Sequence, residues 1–525
     1  MPAFIHCGPS LWPLPRWAVA GACALAVALP LWTTPFPPVT DLPQHVAQVR
    51  LWFETLAGMP HPDGARYIIQ WWTPYSLTYW LMGGLWQVLP PVRVGQAMLL
   101  LQALAWVFLV HWLAARRQRS AAAAALATTL FFNHTLYWGF VSFMTGGPLF
   151  LLWVHTTARD APLTRRRQLL LVSLAALLYA AHALWFAMAL LWFGVMAWGL
   201  RRPWRTVLHN GLWLLPLAAL AALMYSRIGY ATTLVEHKTL WRTPVVWRLF
   251  TPWLPESVYG GLGGFVEPLA LTGVGLWLVA GLVRHRRRWR SASDPVWLLA
   301  GGLCLTAGLL LPYQYQYTIE FAERWMPAAV TCLLLGAPAL DVPPPGNDTR
   351  SVPAWPRAVA TAGCVVFCGW TALVWQAFQR DYLPGLPEAL AALPSQPRVV
   401  GLDFVKEIPG FRRRPLMQMP AYAQVLHGGA YSLSFAKFPQ SFVRYETDAV
   451  VRWTDGLEWS PERLTERDLD YFDFVLAVGD RWAHERLQTK FPRLQPVTGD
   501  DHTPWRLYRI GAHARHTLIV SEHPR

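Results

Sequence analysis

Apolar residues in this chain fall in long, nearly unbroken runs rather than in the short alternations of an ordinary soluble fold. Runs long enough to cross a bilayer, or nearly so, lie at 17–32, 94–114, 121–132, 137–157, 168–181, 182–200, 207–226, 265–283, 295–311, 325–340 and 359–378. About 20 apolar residues, rising 1.5 Å each, cross a hydrocarbon layer about 30 Å thick. The pattern therefore predicts about eleven transmembrane helices within residues 1–378. The stretch 168–200 has the length of two short spans, and His182 near its middle predicts a tight turn there. The first run lacks a small-residue cleavage site and reads as an anchor.

Beyond residue 378 the pattern changes to short mixed segments. Residues 398–405, 472–478 and 505–510 read as strands, and 421–426 and 482–490 as helices. Residues 379–525 are thus expected to form a soluble α/β domain. They carry no cysteine, no dinucleotide fingerprint, no P-loop and no nucleophile elbow. The expected fold class is an all-α polytopic membrane bundle followed by this C-terminal α/β domain, read as a lid or docking module over the membrane part.

Composition agrees with lipid as the main solvent. The 525 residues are 54% hydrophobic and 14% charged, with 31 tryptophans, whereas soluble domains are about 25% charged. The formal charge of +15 comes largely from arginine clusters between apolar runs: Arg116, Arg117 and Arg119; Arg159 with Arg165, Arg166 and Arg167; Arg201, Arg202 and Arg205; and Arg284, Arg286, Arg287, Arg288 and Arg290. No nucleic acid is expected as partner, because these clusters record orientation. Cationic loops are retained on the cytoplasmic side, and two spans separate each cluster from the next, so all four fall on one face. The N-terminus is then cytoplasmic and the C-terminal domain periplasmic, in a bacterial inner membrane. Residues 75–89 would break this parity as a span, and their aromatics and the preceding Pro74 suit a helix lying in the outer interface. The cysteines Cys7, Cys23, Cys304, Cys332, Cys364 and Cys368 show no metal-ligand spacing and read as small apolar fillers.

Polar positions on the outer side are few, and three groups stand out. The first external loop, 33–93, contains Asp41 and His45, four apart at the start of an amphipathic helix, so both can face one site. Asp41 also fits a helix N-cap, where the helix dipole would hold it ionised as a general base or metal ligand. The second group is Glu320, Glu323 and Arg324 at the membrane edge. Arg324 suits a phosphate through its planar fork of donors, or else pairs with Glu320 on an exposed helix start. The third is the loop 227–264, with Arg227, Glu236, His237, Lys238 and Arg242 and a glycine-rich stretch. It reads as a mobile cover over a ligand or as a solvated loop. The external turn Asn133, His134 and Thr135 adds polar groups without a carboxylate, and His111, His155 and His182 read as core residues.

An anchor, an external loop opening on an isolated acid, a P-x-x-x-x-Y-W helix at 74–80, many short spans and an external C-terminal domain together resemble the GT-C superfamily of integral-membrane glycosyltransferases. The resemblance covers roughly the first two thirds of the chain as architecture and rests as motif on Asp41 and the sequence TPYSLTYW. It implies transfer of a sugar from a polyprenyl-phosphate carrier to an acceptor, of unknown nature, on the periplasmic side. It also implies that Asp41 serves as base or metal ligand, a divalent metal being one possible cofactor, with His45 beside it. Arg324, Glu320, Glu323, Arg227, His237 and Lys238 would bind substrate. Many relatives carry a second acid in the first loop or in the next external turn, where this chain has Asn133 and His134. A binding or assembly protein of the same fold without turnover is the alternative. A transporter ranks third, for want of internal repeats and mid-membrane acids.

Overall fold

The structure is a computed structural model that describes residues 15–511 apart from 63, 159–163, 200–202, 232–238, 249–251, 316–317, 343–353 and 447–452. Up to residue 382 it is mainly helical: α1 (Arg16–Thr33), α2 (Leu42–Leu56), α3 (Ser76–Trp86), α4 (Pro91–Arg116), α5 (Ala121–Thr129), α6 (His134–Trp138), α7 (Val141–Thr157), α8 (Arg165–Ala181), α9 (Ala183–Gly199), α10 (Trp204–Leu212), α11 (Leu215–Ala231), α12 (Trp253–Val258), α13 (Val266–Arg284), α14 (Trp289–Ala292), α15 (Pro295–Leu310), α16 (Met326–Gly336) and α17 (Trp355–Tyr382). Three short strands lie among them, β1 (Tyr67–Ile69), β2 (Thr239–Leu240) and β3 (Gln314–Tyr315). The C-terminal part follows as α18 (Leu386–Ala391), β4 (Arg398–Asp403), α19 (Tyr422–His427), β5 (Ala430–Tyr431), β6 (Val443–Tyr445), α20 (Glu466–Leu469), β7 (Phe474–Val478), α21 (Arg481–Lys490), β8 (Leu494–Thr498) and β9 (Trp505–Ile510).

Four of these helices, α1, α4, α13 and α17, are long and apolar enough to cross a membrane. The expected turn at His182 is present, since its extended backbone separates α8 from α9. The other seven expected runs give helices of 17 residues or fewer, run 207–226 being split between α10 and α11, and two fall furthest short. Run 121–132 yields only the nine residues of α5 and run 325–340 the eleven of α16, lengths of about 14 and 16 Å at 1.5 Å per residue. The causes are local. Asn133 accepts a hydrogen bond from the Thr135 amide and opens α6, so α5 stops short. Ala337 is extended and followed by Pro338, which cannot continue α16. Helix α3, with eleven residues, is likewise too short to cross, and Trp71, Trp72 and Trp80 around it are exposed, as suits an interface.

Polar contacts tie the arginine-rich ends together. Arg16 at the start of α1 donates to the Ala114 carbonyl near the end of α4. Arg117 makes a two-bond pair with Asp294, which caps α15. Buried Arg119 donates to the carbonyls of Leu335, Gly336 and Ala337 at the end of α16, and to that of Ala292. Asp341 joins Ser120, the cap of α5, to Arg357 at the start of α17. One end of the bundle therefore gathers the starts of α1, α5, α15 and α17 and the ends of α4 and α16.

Depth in the bundle can be read along α4. Gln96 donates to the Leu31 and Trp32 carbonyls where α1 ends. Gln102, six residues deeper, donates to the Val141 carbonyl. The Val141 carbonyl, directly after the turn 133–140, thus lies about 9 Å along α4 from the end of α1.

The C-terminal part carries a five-stranded sheet of order β5-β4-β7-β9-β8. Strand β4 runs parallel to β5 and β7, while β9 is antiparallel to β7 and β8. The strands expected near 398, 472 and 505 and the helices near 421 and 482 are all present. Every residue of β7 is buried, which explains its unbroken apolar reading. An unexpected second sheet joins the two ends of the chain. Strand β1, from the first loop, pairs antiparallel with β6, with Tyr67 opposite Tyr445 and Ile69 opposite Val443.

Candidate functional site

Asp41 stands immediately before α2, at the N-cap position, yet its side chain caps nothing. The expectation of a capping carboxylate is therefore corrected: Pro43 at the second helical position already removes one amide in need of an acceptor. What fixes Asp41 is backbone. The amides of Thr40 and Asp41 donate to the carbonyls of Tyr137 and Trp138, each at 3.0 Å. Gly139 follows in the left-handed region, φ +86°, and a Cβ there would lie 2.6 Å from the Asp41 nitrogen. Only glycine allows so close an approach.

His45 lies one turn on, its amide bonded to the Asp41 carbonyl. Its Nδ1 is 2.8 Å from the Tyr79 hydroxyl on α3, and its ring meets Phe435 edge-on at 5.3 Å. Burial pushes His45 down to about 4, keeping it neutral at neutral pH. Burial also pushes the Asp41 carboxyl up to about 7, against the pull of the Arg324 cation. Desolvation thus works against the expected hold of the helix dipole on the ionised carboxylate.

Arg324 is buried just before α16. Its guanidinium lies 3.7 Å from the Phe140 ring centre and donates Nε and Nη2 to the Ile319 carbonyl at 3.1 and 3.0 Å. The expected Glu320–Arg324 pair on an exposed helix start does not form. Glu320 is buried with a backbone φ of +51°, and its Oε1 forms an ion pair with Arg413 Nη2 at 2.7 Å. Its Oε2 is 3.6 Å from His134 Nε2. His134 is held well below its usual value by burial and by the nearby Arg413 and Arg324 cations. Glu323 faces elsewhere and accepts from the Trp253 indole at 2.9 Å.

Arg324 also reaches a cavity of about 40 Å³ inside the bundle, lined by Trp106, Phe131, Phe143 and Trp185 with Gln102, Asn133 and Thr135 as polar members. That is room for a few waters. Arg324 lines this hollow, whereas Asp41, His45 and Arg413 are not among its lining residues; Asp41 and Arg324 are brought together instead through the turn 137–140, which holds the Asp41 amide and carries the Phe140 ring under Arg324. Among the described residues no three His, Cys, Asp or Glu side chains come together as a metal-ligand group, so the residues around Asp41 do not fit a metal centre.

Of the other predicted binding residues, Arg227 is exposed on α11, with no contact to this group among the described residues. His237 and Lys238 lie outside the described residues. Sequence reasoning missed Gly139, Tyr79 and Arg413. The run of three arginines at 412–414 was the available signal for the last.

No protein-family model and no curated protein matches the sequence. A solved structure is similar: ArnT from Cupriavidus metallidurans, bound to undecaprenyl phosphate, over 94% of this chain and 97% of that one, at a TM-score of 0.50 and 12% identity. At that identity the likeness is one of fold.

Proposed function

We propose that this multi-pass membrane protein is a GT-C glycosyltransferase that takes a sugar from a polyprenyl-phosphate carrier and passes it to a hydroxyl or amine acceptor. The arginine-rich end of the bundle lies in the cytoplasm, by retention of cationic loops, and the site opens toward the periplasm. Asp41 removes the acceptor's proton as the new glycosidic bond forms, and the sugar–phosphate bond breaks with its electrons leaving on the phosphate. Arg324 binds that phosphate, stabilising the charge that grows on it in the transition state. His45, neutral and tied to Tyr79, positions the acceptor beside Asp41. The hollow behind Arg324 is too small for an isoprenoid, so the tail lies along the bilayer face of the bundle and only the head group enters.

The observation that carries this reading is that one turn holds both groups: the Asp41 amide bonds to the Trp138 carbonyl and Arg324 lies over the Phe140 ring. The test is transfer from labelled polyprenyl-phosphate sugars by purified protein, alongside polyprenyl-phosphate binding. Asp41→Asn should lower transfer by about 100-fold or more, the usual contribution of a general base, with binding retained. Undiminished transfer by this variant removes Asp41 as base. Binding without turnover in the unaltered protein points instead to a carrier-binding protein of the same fold.

A further inference from the structure

The reading above gives the phosphate one cation, drawn from the membrane part. The structure brings a second from 89 positions further along the chain. Residues 410–414 form a loop held from three sides. The Gly410 carbonyl accepts from the Gly263 amide, and the Arg412 amide donates to the Gly261 carbonyl. The Arg412 side chain pairs with Glu256 at 2.6 Å and also reaches the Leu262 carbonyl. The Arg414 carbonyl accepts from the Thr40 hydroxyl, next to Asp41, while its guanidinium turns back to Asp403. Anchored in this way, Arg413 reaches Glu320 and the face of Trp138.

There the two arginines share one support. Trp138 and Phe140 flank Gly139, with ring centres 6.2 Å apart and planes only 8° from parallel. Arg413 lies over the Trp138 ring at 5.4 Å, as Arg324 lies over Phe140. Cations held on aromatic faces keep most of their donors available. Arg413 spends Nη2 on Glu320, yet its Nε is buried without a hydrogen-bond partner, and so is Glu320 Oε2. A buried donor left idle, as this Nε is, costs free energy unless a ligand completes it.

We propose that Arg413 is a ligand of the phosphate bound at this site, acting with Arg324, with Glu320 holding the guanidinium in place for it. The C-terminal domain then completes the site rather than covering it. This rests on the function proposed above and extends it to a residue outside the membrane part. The shared ligand chemistry is a phosphate monoanion or dianion, on a prenyl chain or free.

The test uses full-length protein in lipid nanodiscs, with undecaprenyl phosphate, undecaprenol and inorganic phosphate as probes. Arg413→Gln should weaken undecaprenyl-phosphate binding by about 10-fold or more, the loss of one charge-assisted contact. Binding of undecaprenol, which has no phosphate, should stay the same. Arg413→Lys, which keeps the charge but not the fork, should fall between the two and guards against a folding failure. Arg414→Gln, altered in the same loop, should bind as the unaltered protein does. Loss with undecaprenyl phosphate and with inorganic phosphate alike supports Arg413 as a ligand of the phosphate itself, and loss with undecaprenyl phosphate alone supports it as a ligand of the lipid-borne phosphate. Equal binding by Arg413→Gln and the unaltered protein overturns this inference while leaving the proposed function standing. Failure of the unaltered protein to bind any probe overturns both.

Discussion

Asp41 is the residue on which most turns, and its protonation gives a direct handle. As a base with a carboxyl near 7, it must be ionised to act, so kcat/KM should rise about tenfold per pH unit below neutrality and level off above it. A profile flat from pH 5 to 8 removes the assignment. Stability should run the other way. A carboxyl raised above its unfolded value of about 3.9 binds its proton more tightly when folded, so stability falls as pH rises from about 4 toward 7. Asp41→Asn should therefore melt above the unaltered protein at pH 8, the two converging at acid pH. Loss of a helix cap would instead lower the melting temperature at both. Asp41 and Arg324 were legible in the sequence because isolated charges beside apolar runs need a reason. Tyr79 and Arg413 were not. Their roles exist only once distant segments dock, as Gln44 does on Gln418, 374 positions apart.

At the scale of elements, the turn at 133–140 does more than connect two helices. Its carbonyls take the Thr40 and Asp41 amides, its aromatics carry the two arginines, and Gly139 lets the strands of backbone meet. Gly139→Ala adds a left-handed alanine, costing about 1–2 kcal/mol, and a methyl that must displace Asp41. Transfer should fall further than that stability loss explains, which parallel melting and turnover measurements will separate. Helix positions were legible from apolar run length, and the α8–α9 break from a single histidine. The shortness of α5 and α16 was not, because an apolar run has the same appearance whether it meets lipid or the tops of its neighbours. Nearly all of α5 is buried against protein, so its alanines report close packing rather than a span.

In the whole molecule, the β1–β6 pair ties the first loop to the C-terminal domain. If the docked arrangement is the working one, locking it should be harmless. Tyr67 and Tyr445 face each other between the bonded pairs of this ladder, where Cα atoms are about 4.5–5.5 Å apart and a disulfide fits. The double variant Tyr67→Cys, Tyr445→Cys should cross-link on oxidation and keep its turnover. Turnover lost on oxidation and regained on reduction would show that the domain must lift. The α/β character of this domain was readable from its strands, since β7 is apolar throughout. Its place over the first loop was not, as nothing in the local pattern of β1 or β6 names a partner.

The level of the turn that holds Asp41 bears on what the proposed enzyme would modify. The first carbonyl of α7, directly after that turn, lies about 9 Å along α4 from the end of α1. If Asp41 is the base, the acceptor has to reach that level, which directs the search for it toward lipids and small soluble compounds.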